Sequence, residues 1–134
     1  MTVFSKILIV EDESIVALDL EQRLEDMNYN VVGIAGNGIE AIKKTEELSP
    51  DIVLMDILLK GELDGIESAQ KIRDIYNIPF IYLTGSFDAS ILERAKTTEP
   101  SGYVNKPFDD IEIQNAIQLT INNHQKEQIL KKIS

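Results

Sequence analysis

Two kinds of segment alternate along this chain. Short, almost wholly apolar runs occupy residues 6–10, 30–35, 51–55, 78–83 and 102–105. The stretches that follow each run carry apolar residues three or four positions apart, which is the spacing of one helix face. Short continuous apolar runs are typical of strands buried on both faces of a parallel sheet. The pattern predicts an α/β fold, a doubly wound five-stranded parallel sheet with five helices on both faces.

Polar residues whose side chains suit helix N-caps stand before the helical stretches. The predicted caps are Ser14, Asn37, Asp64, Asp88 and either Asp109 or Asp110. The apolar faces of the first and last helices are predicted to consist of Ala17, Leu20, Leu24 and Met27, and of Ile113, Ile117 and Ile121. We expect residues 1–124 to form the domain. The charged, amphipathic tail 125–134 is predicted to be a helix extension or the stub of a linker.

Composition narrows the function classes. A net charge of −10 and a pI near 4.5 argue against nucleic acid as a partner, because its phosphates would repel this surface. The chain has no cysteine, so disulfides, thiolate metal sites and thiol nucleophiles are excluded. No segment approaches the roughly 18 apolar residues that a membrane span requires, and the first apolar run is too short for a signal peptide. We therefore expect a cytoplasmic protein that does not bind a membrane.

Chemically capable side chains stand where the predicted strands end. Glu11 and Asp12 follow the first strand, Asp56 follows the third, and Thr84 ends the fourth. The fifth strand leads to Lys106. In open α/β sheets the functional crevice lies beyond the carboxyl ends of the strands. Each residue alone has an ordinary structural explanation, but together they predict one site at that edge.

The residue types indicate phosphoryl chemistry. Three carboxylates in one cleft repel one another unless a cation lies between them, and oxygen ligands without His or Cys favour Mg²⁺ or Mn²⁺. Asp56 is then a carboxylate nucleophile that can form an aspartyl phosphate. Thr84 and Lys106 are placed to hold the other phosphoryl oxygens. The charge of Asp56 would be compensated by the metal and by Lys106.

At this point the chain resembles a known family, the receiver domains of two-component response regulators. The resemblance runs from Lys6 to about Asn122 and rests on "ILIVEDE", "DIVLMDILL", "DGIE", "IYLTG" and "GYVNKPF", in the family's order and spacing. It implies a flavodoxin-like sheet with strand order 2-1-3-4-5. It also implies a non-enzymatic signalling domain, capable only of weak Mg²⁺-dependent self-dephosphorylation, whose acceptor is phosphorylated by a sensor histidine kinase.

The resemblance assigns a role to each site residue. Glu11, Asp12, Asp56 and the backbone carbonyl of Leu58 would bind Mg²⁺, Asp56 would accept the phosphoryl group, and Lys106 and Thr84 would bind the phosphate. Thr84 and Tyr103 match a switch pair, and Lys106–Pro107 matches a peptide bond that is cis in the family. The signal would pass to a downstream protein or a linked domain. A homodimer through the 89–97 helix, strand five and the last helix is a further expectation.

The chain departs from the family in the segment after the acceptor. It reads "LLKGELDG", with Lys60 and Gly61 where most receivers have a proline, and it is about one residue longer than usual. Because the change lies beyond Leu58, the metal site should survive. This variant is similar to receivers attached to, or encoded beside, sensor kinases with sensory modules.

Three other function classes compete with this interpretation. A phosphohydrolase of the haloacid-dehalogenase type also uses an Asp nucleophile, but it needs an acid two residues on, where this chain has Leu58. A flavin carrier would need a Ser/Thr/Gly phosphate cradle in its first loop, which here reads "EDES". A degenerate receiver that only binds a partner would not need all five site residues.

Overall fold

The computed structural model describes residues 5–85 and 89–133. Five strands form one parallel sheet in the order β2-β1-β3-β4-β5, as the resemblance implied. The strands are β1 (Lys6–Val10), β2 (Asn30–Ala35), β3 (Ile52–Asp56), β4 (Phe80–Thr84) and β5 (Gly102–Asn105). The helices are α1 (Ser14–Asp26), α2 (Gly38–Leu48), α3 (Gly65–Tyr76), α4 (Ala89–Thr97) and α5 (Asp110–Ile133). The predicted α/β fold class is confirmed.

The sheet separates two hydrophobic layers because successive residues of a strand point to opposite faces. In β1, Leu8 and Val10 belong to one layer, in which α2, α3 and α4 pack on the sheet. Ile7 and Ile9 belong to the other, with α1 and α5. Every residue of β3 is buried, which agrees with the predicted double-sided burial. The edge strand β2 is mostly half-buried, so the prediction is wrong there.

Of the predicted caps that lie within the described residues, all but Ser14 stand at a helix start. The side chains of Asn37 and Asp64 accept hydrogen bonds from the backbone N–H groups three residues on, and Asp109 accepts one from Ile111. The Ser14 prediction is wrong: Ser14 is the first helical residue, and the N-cap Glu13 makes no side-chain capping bond. The predicted cap Asp88 lies outside the described residues.

The carboxyl-terminal end of α4 is attached to the body of the domain by buried polar contacts. The Tyr82 hydroxyl lies 2.7 Å from the Thr98 hydroxyl, which donates to the Ala95 carbonyl at 2.6 Å. Arg73 donates to the Thr98 carbonyl at 2.7 Å. Burial raises the pKa of Tyr82 to about 12, against the opposing effect of the Thr98 hydrogen bond. The hydroxyl therefore stays protonated and bonded at neutral pH.

Candidate functional site

Four neighbouring strands deliver the predicted residues to one edge of the sheet. Strand register places Val10 beside Met55, Asp56 beside Leu83, and Thr84 beside Asn105. The residues that follow each pair therefore emerge together, at the carboxyl ends of β1, β3, β4 and β5. The side chains that the sequence singled out at these strand ends therefore lie at one edge of the sheet.

Three carboxylates converge at this edge. Glu11, Asp12 and Asp56 each offer an oxygen within 4.8 Å of the others. Glu11 and Asp56 are buried, and Asp12 is half-buried. Negative charges gathered away from water cost free energy unless cations or hydrogen-bond donors compensate them.

Lys106 supplies one compensating charge. Its Nζ lies 2.5 Å from Glu11 Oε1 and 3.6 Å from Asp56 Oδ2, so Glu11 is the closer partner. Burial lowers the pKa of the Lys106 ammonium. The hydrogen bond to Glu11 and the charges of Asp56 and Glu13 outweigh burial, and the net pKa is raised. Lys106 is therefore positively charged at neutral pH.

Backbone N–H groups hold the two buried carboxylates in place. Leu58 N–H donates to Asp56 Oδ1 at 3.1 Å, and Glu13 N–H donates to Glu11 Oε2 at 3.1 Å. Each carboxylate thus has one oxygen on the backbone and the other turned toward Lys106. The Lys106–Pro107 peptide bond is cis, as the resemblance implied.

The Thr84 hydroxyl is buried and has no hydrogen-bond partner among residues 5–85 and 89–133. The backbone carbonyl of Thr84 accepts a hydrogen bond from the Lys106 N–H at 2.7 Å. A buried hydroxyl left without a partner costs roughly 1–3 kcal/mol, so it is poised to bind a group brought from outside. An apolar groove of about 230 Å³ adjoins it, lined by Thr84, Leu92, Lys96, Tyr103 and Asn105.

Tyr103 lies on the outer side of this groove. Tyr103 is 37% exposed, and the centroid of its ring lies 6.0 Å from that of Tyr82. Tyr103 is therefore partly exposed to solvent while it lines the groove together with Leu92 and Lys96 of α4.

One residue of the site was missed by sequence reasoning. A Cβ added to Gly65, the first residue of α3, would lie 2.0 Å from the Asp56 carbonyl oxygen and 3.0 Å from the Ile57 Cα. Only glycine allows α3 to begin this close to the end of β3. The available signal was the glycine directly after the Asp64 cap, in "DGIE".

The donors present fit a hard divalent cation. Each of the three side chains offers carboxylate oxygen, and none of them contains nitrogen or sulfur. Such a set suits Mg²⁺ or Mn²⁺ better than zinc. The Thr84 hydroxyl, which has no hydrogen-bond partner in the described part of the chain, adds a polar group to which an oxyanion can bind.

Comparison with known proteins decides the family. The profile of the response regulator receiver domain matches residues 7–118, which is most of the chain. The chain belongs to the response regulator receiver domains. It is therefore a signalling domain of two-component systems, whose members take phosphate from histidine kinases and act on downstream partners.

Individual receivers resemble it over most of its length. The transcriptional regulatory protein PdtaR of Mycobacterium tuberculosis is 34% identical over 117 residues, which cover 87% of this chain and 57% of PdtaR. The signal receiver domain of a modulated diguanylate cyclase from Desulfovibrio desulfuricans superposes with a TM-score of 0.90 at 38% identity, covering 93% of this chain and 99% of that one. The N-terminal domain of a response regulator/sensory box/GGDEF 3-domain protein from Carboxydothermus hydrogenoformans superposes with a TM-score of 0.83 at 29% identity. That match covers 91% of this chain and 98% of the other.

The chain spans little more than half of the length of PdtaR, since the match covers 57% of that protein. Among the described residues, no helix is long and apolar enough to cross a membrane.

Proposed function

We propose that this receiver stores a phosphoryl group on Asp56 and relays its presence through Thr84 and Tyr103. The observation that carries the proposal is the pocket itself. Asp56 lies among two further carboxylates and a charged lysine, and the neighbouring strand β4 ends at Thr84, whose buried hydroxyl lacks a partner among the described residues. A tetrahedral oxyanion on Asp56 would give both Lys106 and Thr84 a charged acceptor.

The transfer is a substitution at phosphorus. A carboxylate oxygen of Asp56 attacks, the P–N bond of a kinase phosphohistidine breaks, and the imidazole leaves with the bonding electron pair. Lys106 stabilises negative charge on the phosphoryl oxygens, and the Leu58 N–H keeps the Asp56 carboxylate oriented.

Glu11, Asp12, Asp56 and the Leu58 carbonyl would hold Mg²⁺ in this pocket. When bound, the ion neutralises the carboxylates and the charge that builds up on the transferring group. Without such an ion the three carboxylates would repel the negatively charged phosphoryl group, so labelling should require a divalent cation.

The product is expected to persist because no acid or base stands two residues after Asp56, where a haloacid-dehalogenase-type phosphohydrolase carries its general acid. The side chain two residues after Asp56 is Leu58, half exposed and without a proton to give. A phosphohydrolase of the type considered above would need a carboxylic acid there. Only weak self-dephosphorylation is consistent with this residue set.

Acetyl phosphate with Mg²⁺ tests the function and separates the alternatives. A receiver gains one acid-labile phosphate per chain, visible in the intact mass, and then stops. Continuous release of phosphate at a constant rate would indicate a phosphohydrolase. Neither labelling nor release would indicate a binding module, and either result overturns the proposal.

The first prediction concerns the metal. Millimolar Mg²⁺ should raise the melting temperature, because it relieves the repulsion among the three carboxylates. By linkage the gain is roughly 1–3 kcal/mol at tens to hundreds of Kd. The double variant Glu11→Ala/Asp12→Ala should lose this response, measured by thermal denaturation with and without Mg²⁺. The matched control is Glu46→Ala/Glu47→Ala, which removes two exposed acids from α2 and should respond as wild type.

Loss of the Mg²⁺ response in the control as well would show that it reflects general screening of the acidic surface. An unchanged response in the Glu11/Asp12 variant would remove these residues from the metal site.

The second prediction concerns the lysine. Lys106→Ala leaves Glu11 and Asp56 without the ammonium group that pairs with them. The free energy of unfolding of the metal-free protein should therefore fall by roughly 1–3 kcal/mol. This loss is smaller than for a fully buried ion pair because Lys106 is partly exposed. Mg²⁺ should still bind, and should stabilise this variant more than wild type. Beryllofluoride should nevertheless fail to change its conformation.

Urea denaturation with and without Mg²⁺ measures the first effect, and Lys71→Ala on the exposed side of α3 is the control. A Lys106→Ala protein as stable as wild type without metal, or fully activated by beryllofluoride, would contradict the assignment.

The signal is proposed to leave the pocket through the groove beside Thr84. If the Thr84 hydroxyl moves toward a phosphate oxygen, it vacates space that the ring of Tyr103 can occupy. The two states need differ by only a few kcal/mol for a phosphate to shift the balance. The surface that changes comprises α4, β5 and the neighbouring part of α5. A downstream partner, a linked domain or a second receiver is expected to dock there.

The third prediction tests this route. Thr84→Ala should still be phosphorylated on Asp56, because the nucleophile and the metal ligands remain. Amide NMR with and without beryllofluoride should then show weak shifts on α4 and β5, where wild type shows strong ones. Equal shifts in both proteins, or wild-type shifts confined to the pocket, would exclude a switch through Thr84 and Tyr103.

A further inference from the structure

Glu112, in the first turn of α5, binds the residue that precedes Lys106. Its Oε1 accepts the backbone N–H of Asn105 at 2.5 Å, and its Oε2 accepts the Asn105 side-chain amide at 3.2 Å. Both oxygens of one carboxylate are therefore bound to a single residue. Because Asn105 is the last residue of β5, this contact joins the end of the strand to the start of the helix.

The contact differs from the one that a glutamate at the same helix position makes elsewhere in the chain. Glu67 is the third residue of α3, and its side chain accepts the N–H of the N-cap Asp64 at 3.1 Å, which completes a capping box. Glu112 is likewise the third residue of α5, whose cap is Asp109. Its carboxylate instead binds Asn105, which precedes the cap. Helix capping therefore does not account for the contact, and a favourable interaction with the helix dipole would not require this orientation.

The contact closes the loop that carries Lys106. Residues 106–109 connect Asn105 to α5, and the Glu112 carboxylate bridges the two ends of this loop. On the other side, the Lys106 N–H donates to the carbonyl of Thr84, the last residue of β4, at 2.7 Å. The backbone from which the lysine side chain extends is thus bound to both β4 and α5. A lysine side chain is flexible, so the place that its ammonium group reaches depends on where this backbone is held.

The place of the Lys106 ammonium group matters for the chemistry. Its Nζ lies 2.5 Å from Glu11 Oε1 and 3.6 Å from Asp56 Oδ2, and the same group is proposed to bind the phosphoryl oxygens. A misplacement of about 1 Å in a group that stabilises a transition state can lower a rate by up to roughly 100-fold. A residue that fixes the lysine backbone therefore contributes to the reaction without touching the phosphoryl group.

We propose that Glu112 is a positioning residue for phosphoryl transfer to Asp56. By fixing Asn105 it holds Lys106 where the ammonium group meets the phosphoryl oxygens, and it acts only through the lysine. The inference rests on the role proposed above for Lys106. The carboxylates proposed to hold Mg²⁺ follow β1 and β3, so loss of Glu112 should impair the phosphoryl chemistry and should not weaken Mg²⁺ binding.

Glu112→Ala is expected to slow labelling by acetyl phosphate and to weaken beryllofluoride binding, each by roughly tenfold. Mg²⁺ should still raise the melting temperature at least as much as in wild type. Glu112→Gln should retain most of the wild-type rate, because its amide oxygen can still accept the Asn105 N–H. Glu127→Ala removes an exposed acid from the same helix and should behave as wild type in each measurement. Intact mass gives the labelling rate, and a titration followed by amide NMR gives the beryllofluoride affinity.

A double variant separates positioning from a general loss of stability. Lys106→Ala should itself label slowly, since the phosphoryl oxygens lack their cation. Because Glu112 acts through the lysine, Lys106→Ala/Glu112→Ala should label no more slowly than Lys106→Ala alone, so the two effects are not additive. Hydrogen exchange of the Asn105 amide should be faster in Glu112→Ala than in wild type, because its acceptor is gone.

Three results would overturn the proposal. Wild-type labelling and beryllofluoride binding by Glu112→Ala, with only its stability lowered, would mean that Glu112 merely attaches α5 to the sheet. A further loss of labelling when Glu112→Ala is added to Lys106→Ala would show that Glu112 acts by another route. In both cases slow labelling of Lys106→Ala leaves the proposed function intact. A Lys106→Ala protein that labels and binds beryllofluoride as wild type does would remove the proposed role of the lysine, and this inference with it.

Discussion

Asp56→Asn is expected to abolish labelling by acetyl phosphate while the domain stays folded. Asparagine keeps the shape of the side chain, and its carbonyl oxygen can still accept the Leu58 N–H. It lacks the carboxylate that attacks phosphorus, so the phosphorylated fraction should fall to background in the intact mass. The fold should persist because one of three crowded negative charges disappears while Lys106 keeps Glu11 as its closer partner.

The control for this variant lies on the same segment. Asp51 stands just before β3, at the opposite edge of the sheet, and accepts the Lys6 N–H at 2.8 Å. Asp51→Asn removes the same charge from the chain and should be phosphorylated at the wild-type rate. A stoichiometric acid-labile phosphate on the Asp56→Asn protein would show that another residue is the acceptor.

Gly65→Ala adds only one methyl group, but it is expected to lower the free energy of unfolding by more than such a small change usually does. The new methyl group would lie 2.0 Å from the Asp56 carbonyl oxygen, and the nearest atoms all belong to the backbone of Asp56 and Ile57. Backbone atoms cannot move aside as a flexible side chain can, so α3 or the end of β3 must shift. Overpacking of this kind typically costs roughly 1–3 kcal/mol, occasionally more. A lower midpoint in urea, at an unchanged slope, is the expected measurement.

Because the displaced carbonyl belongs to the acceptor, Gly65→Ala should also slow labelling by acetyl phosphate. Gly36→Ala is the matched control, since a Cβ there would meet only the Glu40 side chain at 4.0 Å. Its stability should stay within about 0.5 kcal/mol of wild type. A Gly65→Ala protein as stable as this control would mean that the two backbones separate without cost.

The fold was predictable because its strands differ so plainly from its helices. Runs such as that of β3 are too apolar to alternate between solvent and core, and the helices repeat their apolar residues every three or four positions. The first and last residues of the strands were harder to predict. β3 begins one residue later than predicted and β4 two residues later, because hydrogen bonding to neighbouring strands decides where a strand starts. Ser14 was misplaced because the chain already has extended backbone at Glu13.

For the site, sequence reasoning predicted which residues meet but not how they pair. The carboxyl ends of the strands in a parallel sheet lie at the same edge, so the sequence alone predicted that Asp56 and Lys106 lie close together. The preference of Lys106 for Glu11 over Asp56 depends on distances that only the folded chain defines. The same is true of the Thr84 hydroxyl, which finds no partner among residues 5–85 and 89–133, and of the contact that requires glycine at position 65.

The contacts of α4 limit how its position can change. The buried Tyr82–Thr98 hydrogen bond and the Arg73 contact hold its carboxyl-terminal end against β4 and α3. Arg94 of the same helix pairs with Asp64, the N-cap of α3, at 3.0 Å. A partner that binds α4 therefore meets a helix whose position is tied to that of α3, and a rearrangement of α4 would have to break or preserve these contacts.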